Sequence, residues 1–236
     1  MSTQSSTLSR IDTPKGRWYQ DAESGVYYPS VTTILSVWPK GEAFARWLGN
    51  ADSYEAAIQK RDEAGERGTI VHDMVGRLLQ GDTIPKEELE DSTVRKLLQG
   101  FVNFWHEHNP TLVYNEEFLV SKKWGYAGAG DLFIEIGKEV WNMDVKTSSG
   151  VYISYHIQTS AYSEAAEEMD LCKVDRRAIL WLKPNTKKGW QLVESDESQE
   201  KDFSAFLAAK EVWQRENGSG PIIKEEETVE PLSLEQ

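Results

Sequence analysis

The sequence predicts a mixed α/β domain whose central sheet is flanked by helices, and three observations support this prediction. Helical patterns dominate the first half of the chain. Three strand-like segments with tight connections follow within residues 112–146. A helical pattern, two further strand-like segments and a final helical pattern complete an order that is typical of one sheet covered by helices. With 236 residues and 39% hydrophobic side chains, the chain can also bury a sizeable core.

The segment before the strands is predicted to be mainly helical. Residues 18–28 have the pattern of a short hairpin that turns at Ser24 and Gly25. Ser30 follows and can cap a helix that starts with the letters VTTIL. Further helical patterns cover residues 42–48, 52–66, 68–79 and 89–108.

Three strands are expected at residues 112–120, 129–136 and 140–146, and their side chains should alternate between two faces. Apolar side chains at alternating positions mark the face toward the core. Asp131, Asp144 and Lys146 then belong to the opposite face, where they can converge across neighbouring strands. The elements expected afterwards are a helix at 154–169, strands at 177–182 and 190–194, and a helix at 199–216.

Two carboxylates that lie this close favour a divalent cation, and hard oxygen ligands suit Mg²⁺ or Mn²⁺. A neighbouring lysine can orient an attacking water or stabilise charge on a phosphate. The D-x-K pattern alone is not informative, because about one occurs by chance in a chain of this size. Its position among other features is informative: His72 precedes it on a predicted helix, and Gln158 and Tyr162 follow it, four residues apart on one helical face.

The ordered series G-x-x-x-H, G-D, D-x-K and Q-x-x-x-Y resembles the RecB-like branch of the PD-(D/E)XK nucleases, which includes the mitochondrial genome maintenance exonuclease and many phage nucleases. The segment YPSVTTILSVWP is similar to the start of the nuclease domain in those proteins, and the matching motifs span about residues 27–165. The resemblance implies a restriction-endonuclease-like α/β core with a mixed central sheet and a helical N-terminal elaboration.

The resemblance also implies a role for each motif residue. The implied metal ligands are His72, Asp131, Asp144 and the backbone carbonyl of Val145. Lys146 would be the catalytic lysine that acts together with Asp131 and Asp144. The residues implied to hold DNA or to brace the site are Gln158, Tyr162 and Glu117.

Composition limits the other classes of site. The single cysteine, Cys172, excludes an intrachain disulfide and a four-cysteine iron–sulfur cluster, which some relatives in the family carry. The net charge of −13 argues against nucleic acid as a partner, but much of the acidic excess lies in residues 194–202 and 225–235. No apolar run approaches the roughly 20 residues of a membrane span, and the N-terminus lacks the apolar core of a signal peptide.

We therefore expect three regions: a disordered leader at 1–16, a nuclease domain at 17–217 and a flexible acidic tail at 218–236. The expected protein is cytoplasmic, in a bacterium or a phage-infected host. It would be an exonuclease that acts on single-stranded DNA or duplex ends in recombination, repair or replication, with a single-strand annealing or binding protein as an expected partner.

Three alternatives stay open. The chain could be a structure-specific or restriction-type endonuclease, a non-catalytic subunit that binds DNA or protein with the same fold, or an acidic protein that acts through its tail. For single residues, the alternatives are a helix-edge role for His72, an exposed ion pair for Asp144 and Lys146, and a core role for Gln158 and Tyr162.

Overall fold

A computed structural model of the protein describes residues 8–218 and Gly220. The α-helices are α1 (Val31–Ile34), α2 (Gly41–Gly49), α3 (Tyr54–Leu79), α4 (Ser92–His108), α5 (Ile153–Glu168) and α6 (Gln199–Asn217). The strands are β1 (Leu8–Thr13), β2 (Gly16–Asp21), β3 (Tyr27–Pro29), β4 (Thr111–Ser121), β5 (Tyr126–Ile136), β6 (Glu139–Lys146), β7 (Arg176–Leu182) and β8 (Trp190–Glu194). Short 3-10 helices at Leu35–Val37 and Lys86–Leu89 complete the described elements.

The larger sheet has five strands in the order β4-β5-β6-β7-β8. Its first three strands are antiparallel, β6 and β7 are parallel and joined through α5, and β8 returns antiparallel to β7. One face packs against α3 and α4, where Met143 and Phe101 share a buried cluster. The other face packs against α5 and α6, where Phe133 shares a cluster with Ile157 and Phe206. The predicted mixed α/β fold with a helix-flanked mixed sheet is confirmed.

A second sheet in the order β1-β2-β3 lies at the start of the described chain. Trp18 on β2 contacts Trp213 on α6, with ring centroids 5.5 Å apart. Leu8 and Tyr19 are buried against Val120 of β4, so this small sheet packs on the edge of the larger one.

The prediction of a disordered leader over residues 1–16 is wrong for residues 8–16. β1 pairs with β2 along its whole length, and Leu8 is buried beside Tyr19, so backbone pairing and one apolar anchor order a segment whose Ser/Thr content suggested disorder. Residues 1–7 lie outside the described residues, and so do Ser219 and residues 221–236 of the predicted acidic tail.

The N-terminal helices are confirmed with one correction. Ser30 caps α1 as predicted, because its Oγ accepts a hydrogen bond of 3.0 Å from the backbone N–H of Thr33. The two helices predicted at 52–66 and 68–79 are instead one continuous helix, α3. Gly65 and Gly68 suggested a break, yet a glycine inside a helix costs only about 1 kcal/mol, and packing of the second half of α3 on the sheet offsets this.

Residues 59–66 of α3 are exposed, so the first half of this helix extends away from the sheet. The predicted hairpin with its turn at Ser24 and Gly25 is confirmed, and Gly25 has the positive φ of 69° that the turn requires. Across the described residues, no helix is both long enough and apolar enough to span a membrane.

Candidate active site

The candidate site lies where β5 and β6 separate. Their backbone ladder ends at the pair Leu132 and Met143, and the next residue of β5 is Asp131. Its carboxylate Oδ2 accepts a hydrogen bond of 2.9 Å from the backbone N–H of Val145. The side chain of Asp131 therefore replaces a strand partner and is held between the two strands. It also lies close enough to Asp144 and Lys146 to raise the pKa of both groups.

His72 reaches the same point from helix α3. Its Nε2 lies 2.8 Å from the backbone carbonyl oxygen of Val145, and its Nδ1 lies 3.7 Å from Asp131 Oδ2. A carbonyl oxygen can only accept, so the hydrogen bond places a proton on Nε2. Three of the residues that the motifs singled out thus meet at one position, although they come from a helix and two strands.

Asp144 and Lys146 lie on the face of β6 that is covered by α5. The side chain of Val145, between them, lies on the other face. Asp144 is only 1% exposed, and its Oδ1 accepts a hydrogen bond of 2.9 Å from Gln158 Nε2. Its Oδ2 lies 2.5 Å from the ammonium nitrogen of Lys146, so an ion pair compensates the charge of this buried oxygen.

The electrostatics of this pair follow from burial. Burial raises the pKa of Asp144, the charge of Lys146 opposes the rise and the nearby Asp131 adds to it, and together these effects put the pKa at about 7. Burial also acts to lower the pKa of Lys146, but Asp144 and Asp131 outweigh it, so that pKa is raised. Lys146 is consequently a cation at neutral pH, and it can stabilise negative charge but cannot be a metal ligand.

Gln158 and Tyr162 brace the site from α5. Gln158 Nε2 also lies 3.4 Å from Tyr162 Oη, which links the two side chains below Asp144. They are 8% and 3% exposed, and this burial favours the bracing role over a direct contact with DNA. Asn142 fixes the same helix to the sheet, because its Nδ2 donates to the Thr159 carbonyl and to Ser163 Oγ.

Glu117 lies on β4 opposite Gly130, and burial raises the pKa of its half-buried carboxyl. In the described part of the chain it makes no hydrogen bond or ion pair, so no contact supports a role in the metal site. Gly130 is needed for close packing: a Cβ there would lie 2.6 Å from the ring of Phe133. This explains the glycine that precedes Asp131.

The donor atoms of the site are of the type that binds a hard divalent cation, but the site has few side chains that could hold one. The carboxylates of Asp131 and Asp144 and the backbone carbonyl of Val145 are oxygen donors of the kind that Mg²⁺ and Mn²⁺ bind, with water completing the coordination. However, no three His, Cys, Asp or Glu side chains of the described residues gather closely enough to hold a metal by themselves. His72 is also engaged with the Val145 carbonyl, so the set fits a cation held mainly by Asp131 and Asp144.

Sequence reasoning missed two contributors near Lys146. Tyr155 places its ring centroid 5.0 Å from Lys146 Nζ, and Trp181 is the register partner of Lys146 on β7. Tyr155 precedes Gln158 by three residues, and residues three or four apart share one face of a helix, so the spacing rule that linked Gln158 to Tyr162 could also have found Tyr155. Trp181 belongs to a strand that the sequence places far from the motifs, and no local pattern indicates it.

A buried ion pair supports α5 from behind. Arg177 on β7 lies 2.9 Å from Asp202 on α6, and both side chains are almost fully buried. The Arg177 guanidinium also donates to the backbone carbonyl of His156 at 3.0 Å. The helix that carries Gln158 is thereby fixed to the sheet and to α6.

No model of a known protein family matches the chain, and no curated protein matches it. Solved structures do match, and one is a crystal structure from Eubacterium rectale that is provisionally described as an exonuclease. It is 12% identical in sequence, with 82% of this chain and 83% of that chain covered and a TM-score of 0.49. A likeness at this level assigns no function, and the case for one depends on the site itself.

Proposed function

We propose that this protein is a Mg²⁺- or Mn²⁺-dependent deoxyribonuclease of the PD-(D/E)XK type, in its RecB-like branch, and that it acts as an exonuclease. One observation carries the proposal. Asp131 is held at the end of the β5–β6 ladder, next to the buried Asp144, whose Oδ2 forms an ion pair with Lys146. Two carboxylates with a protonated lysine are the groups that metal-assisted hydrolysis of a phosphodiester requires.

Each residue has a defined task in this reaction. Asp131, Asp144 and the Val145 carbonyl would hold the cation, which when bound lowers the pKa of a coordinated water. Lys146 orients that water and stabilises the negative charge that develops on the phosphate. Gln158 fixes the rotamer of Asp144, and His72 fixes the Val145 carbonyl and remains the further candidate ligand.

The exonuclease mode comes from the motif resemblance, and an endonuclease is the alternative that uses the same residues.

The test compares wild type, Lys146→Ala and Lys201→Ala on end-labelled linear DNA and on closed circular DNA, with Mg²⁺, Mn²⁺ or EDTA. Lys201 is a matched control, since it is an exposed lysine on α6 that pairs with Glu197. Removing one positioned electrostatic group from an active site typically lowers the rate about 10²- to 10³-fold.

The outcomes separate the alternatives. Loss of metal-dependent degradation of linear DNA in Lys146→Ala, with circles left intact, supports the exonuclease. Cutting of circles by wild type identifies an endonuclease. If wild type degrades neither single-stranded nor duplex DNA with either metal, the catalytic proposal fails, and a binding subunit with the same fold replaces it.

A cellular role in phage-type recombination, repair or replication, in the cytoplasm of a bacterium or infected host, is part of the proposal. An annealing or binding protein for single strands would be the natural partner of such an exonuclease. Truncation after Ser219 separates this role from action through the acidic tail. The truncated chain should keep its nuclease activity, whereas a protein that acts through its tail would lose its function.

A further inference from the structure

A row of polar side chains crosses the sheet beneath α5, two residues before Asp144. Asn142 on β6 and Arg177 on β7 are register partners, and Asn142 shares the face of Asp144 because side chains alternate along a strand. The Asn142 amide donates a hydrogen bond of 2.9 Å to the Thr159 carbonyl. The Arg177 guanidinium donates one of 3.0 Å to the His156 carbonyl. Two strands of the sheet are therefore bound to the backbone of α5.

These contacts surround Gln158. Arg177 also lies 3.4 Å from the hydroxyl of Thr159, so one guanidinium contacts α5 both before and after Gln158. Gln158 in turn donates a hydrogen bond of 2.9 Å to Asp144 Oδ1. The position of this part of α5 therefore determines where the amide of Gln158 meets the carboxylate of Asp144.

The guanidinium of Arg177 is itself held by a buried carboxylate. The side chains of Arg177 and Asp202 are 7% and 6% exposed and lie 2.9 Å apart, and Ser195 Oγ donates to Asp202 at 2.7 Å. Apolar side chains of similar volume often replace a buried ion pair without loss of stability, because desolvation of the charges opposes their attraction. Stability therefore does not explain this pair, whereas the directed hydrogen bonds of an arginine to two partners do.

We infer that Arg177 is a positioning residue of the candidate active site and that Asp202 anchors it. Through the backbone of α5, Arg177 fixes Gln158 in the place from which it orients Asp144 as a metal ligand. The inference rests on the proposed function, and it gives the start of α6 a part in metal binding. Loss of a group that orients a metal ligand typically lowers metal affinity about 10- to 100-fold.

Two variants separate positioning from stability. The double variant Arg177→Met/Asp202→Leu replaces the ion pair with apolar side chains and should keep a melting temperature close to that of wild type. It lacks the donor to α5, so it should bind Mn²⁺ about 10- to 100-fold more weakly. Arg177→Lys keeps the charge beside Asp202, but its ammonium lacks the planar fork that reaches both partners, so its Mn²⁺ affinity should fall as well.

The measurement is a titration of each protein with Mn²⁺ in the absence of DNA, in which electron paramagnetic resonance reports the free ion. Thermal unfolding in EDTA gives the stability of the same samples. Arg215→Met is the matched control, because Arg215 is an exposed arginine of α6 that pairs with Glu211. Gln199→Leu is a second control: Gln199 donates to the Ser160 carbonyl of α5 but is only partly buried, so water can replace its hydrogen bond. Both controls should bind Mn²⁺ like wild type.

The result that overturns the inference is wild-type Mn²⁺ affinity in the double variant and in Arg177→Lys. A loss of affinity that occurs only with a matching loss of melting temperature overturns it too, because the pair would then have a structural role alone. If the double variant does not fold, Arg177→Lys decides the question.

Failure of this inference and failure of the proposed function give different results. Mn²⁺ binding that depends on Arg177, without cleavage of any DNA in Mg²⁺ or Mn²⁺, keeps the positioning role and rejects the nuclease. Cleavage that requires Lys146, with a Mn²⁺ affinity that is independent of Arg177, keeps the nuclease and rejects the positioning role.

Discussion

His72 Nε2 donates a 2.8 Å hydrogen bond to the backbone carbonyl of Val145, although 73 residues separate them in the chain. The contact fastens α3 to β6 at the residue between Asp144 and Lys146. The backbone N–H of Val145 donates a hydrogen bond to Asp131. Both polar groups of the Val145 backbone are therefore bound by side chains of the candidate site, and this arrangement leads to the following predictions.

Asp131→Asn and Asp131→Ala should differ in their free energy of unfolding, but both should lose nuclease activity. The amide oxygen of asparagine can still accept from the Val145 N–H, whereas alanine leaves this donor without a partner, at a cost of about 1–3 kcal/mol. Both variants lose the charge of a proposed metal ligand and should lose metal-dependent cleavage. Urea titration measures the free energy of unfolding, and equal stability of the two variants would show that the hydrogen bond contributes nothing.

The contribution of Asp144 to the stability of the metal-free protein should fall as the pH rises between about 4 and 7. Asp144 ionises near 3.8 in an unfolded chain and near 7 in the fold, because burial raises its pKa. Between these values the folded state keeps a proton that the unfolded state has lost, so the free energy of unfolding decreases and then levels off above pH 7. Asp144→Asn should lack this component when both proteins are titrated with urea in EDTA.

Adding Mg²⁺ above pH 7 extends the same experiment. A bound cation favours the ionised carboxylate and stabilises the fold by mass action, so wild type should regain stability. Asp144→Asn should respond far less. An identical response of the two proteins to Mg²⁺ would place the metal elsewhere.

Gln158→Leu should weaken metal binding more than it weakens the fold. The change removes the donor to Asp144 Oδ1, and loss of a group that orients a metal ligand typically costs about 10- to 100-fold in metal affinity or activity. The measurement is the cleavage rate as a function of Mg²⁺ concentration. Gln199→Leu is the control, because Gln199 donates to the Ser160 carbonyl of the same helix but lies on α6 outside the site. If both variants show the same Mg²⁺ dependence, Gln158 has only a structural role.

Alanine at two helical glycines should have opposite effects on stability. A Cβ at Gly100 would lie 2.2 Å from the backbone oxygen of Gly189, so Gly100→Ala should destabilise the protein by about 1–3 kcal/mol. A Cβ at Gly65 meets open space, so Gly65→Ala should stabilise α3 by up to about 1 kcal/mol. Thermal unfolding of both variants checks the pair, and a loss of stability in Gly65→Ala would contradict the continuous helix.

The core strands and the carboxylate pair could be predicted because their determinants are local. The tight turn at Gly137 and Lys138 sets the register of β5 against β6, and alternation then brings Asp131 close to Asp144. The hydrogen bond from the Val145 backbone N–H to Asp131 could not be predicted, since it depends on where the two strands separate. The sequence also marked only one face of the sheet as core, whereas α5 and α6 cover the other face around Phe133.

The remaining differences come from tertiary contacts that no local pattern contains. β1 is ordered by its pairing with β2, and α3 continues through Gly65 because its second half packs on the sheet. The motif order placed His72 near the site, but its contact with the Val145 carbonyl depends on how a helix docks on a strand. The assignments of His72, Asp131, Asp144 and Lys146 to catalysis remain predictions that the proposed experiments test.

The separation in sequence between His72 and Val145 also has a kinetic consequence. The Asp131 contact with Val145 closes a loop of 14 residues, whereas the His72 contact closes one of 73. The entropy of loop closure makes the longer contact costlier by about 1.5 kcal/mol, so the sheet should assemble before α3 docks. A folding intermediate with β5 and β6 in place would hold both carboxylates without the histidine. In such a molecule the sheet would be formed while the candidate site was still incomplete, and the docking of one helix would complete it.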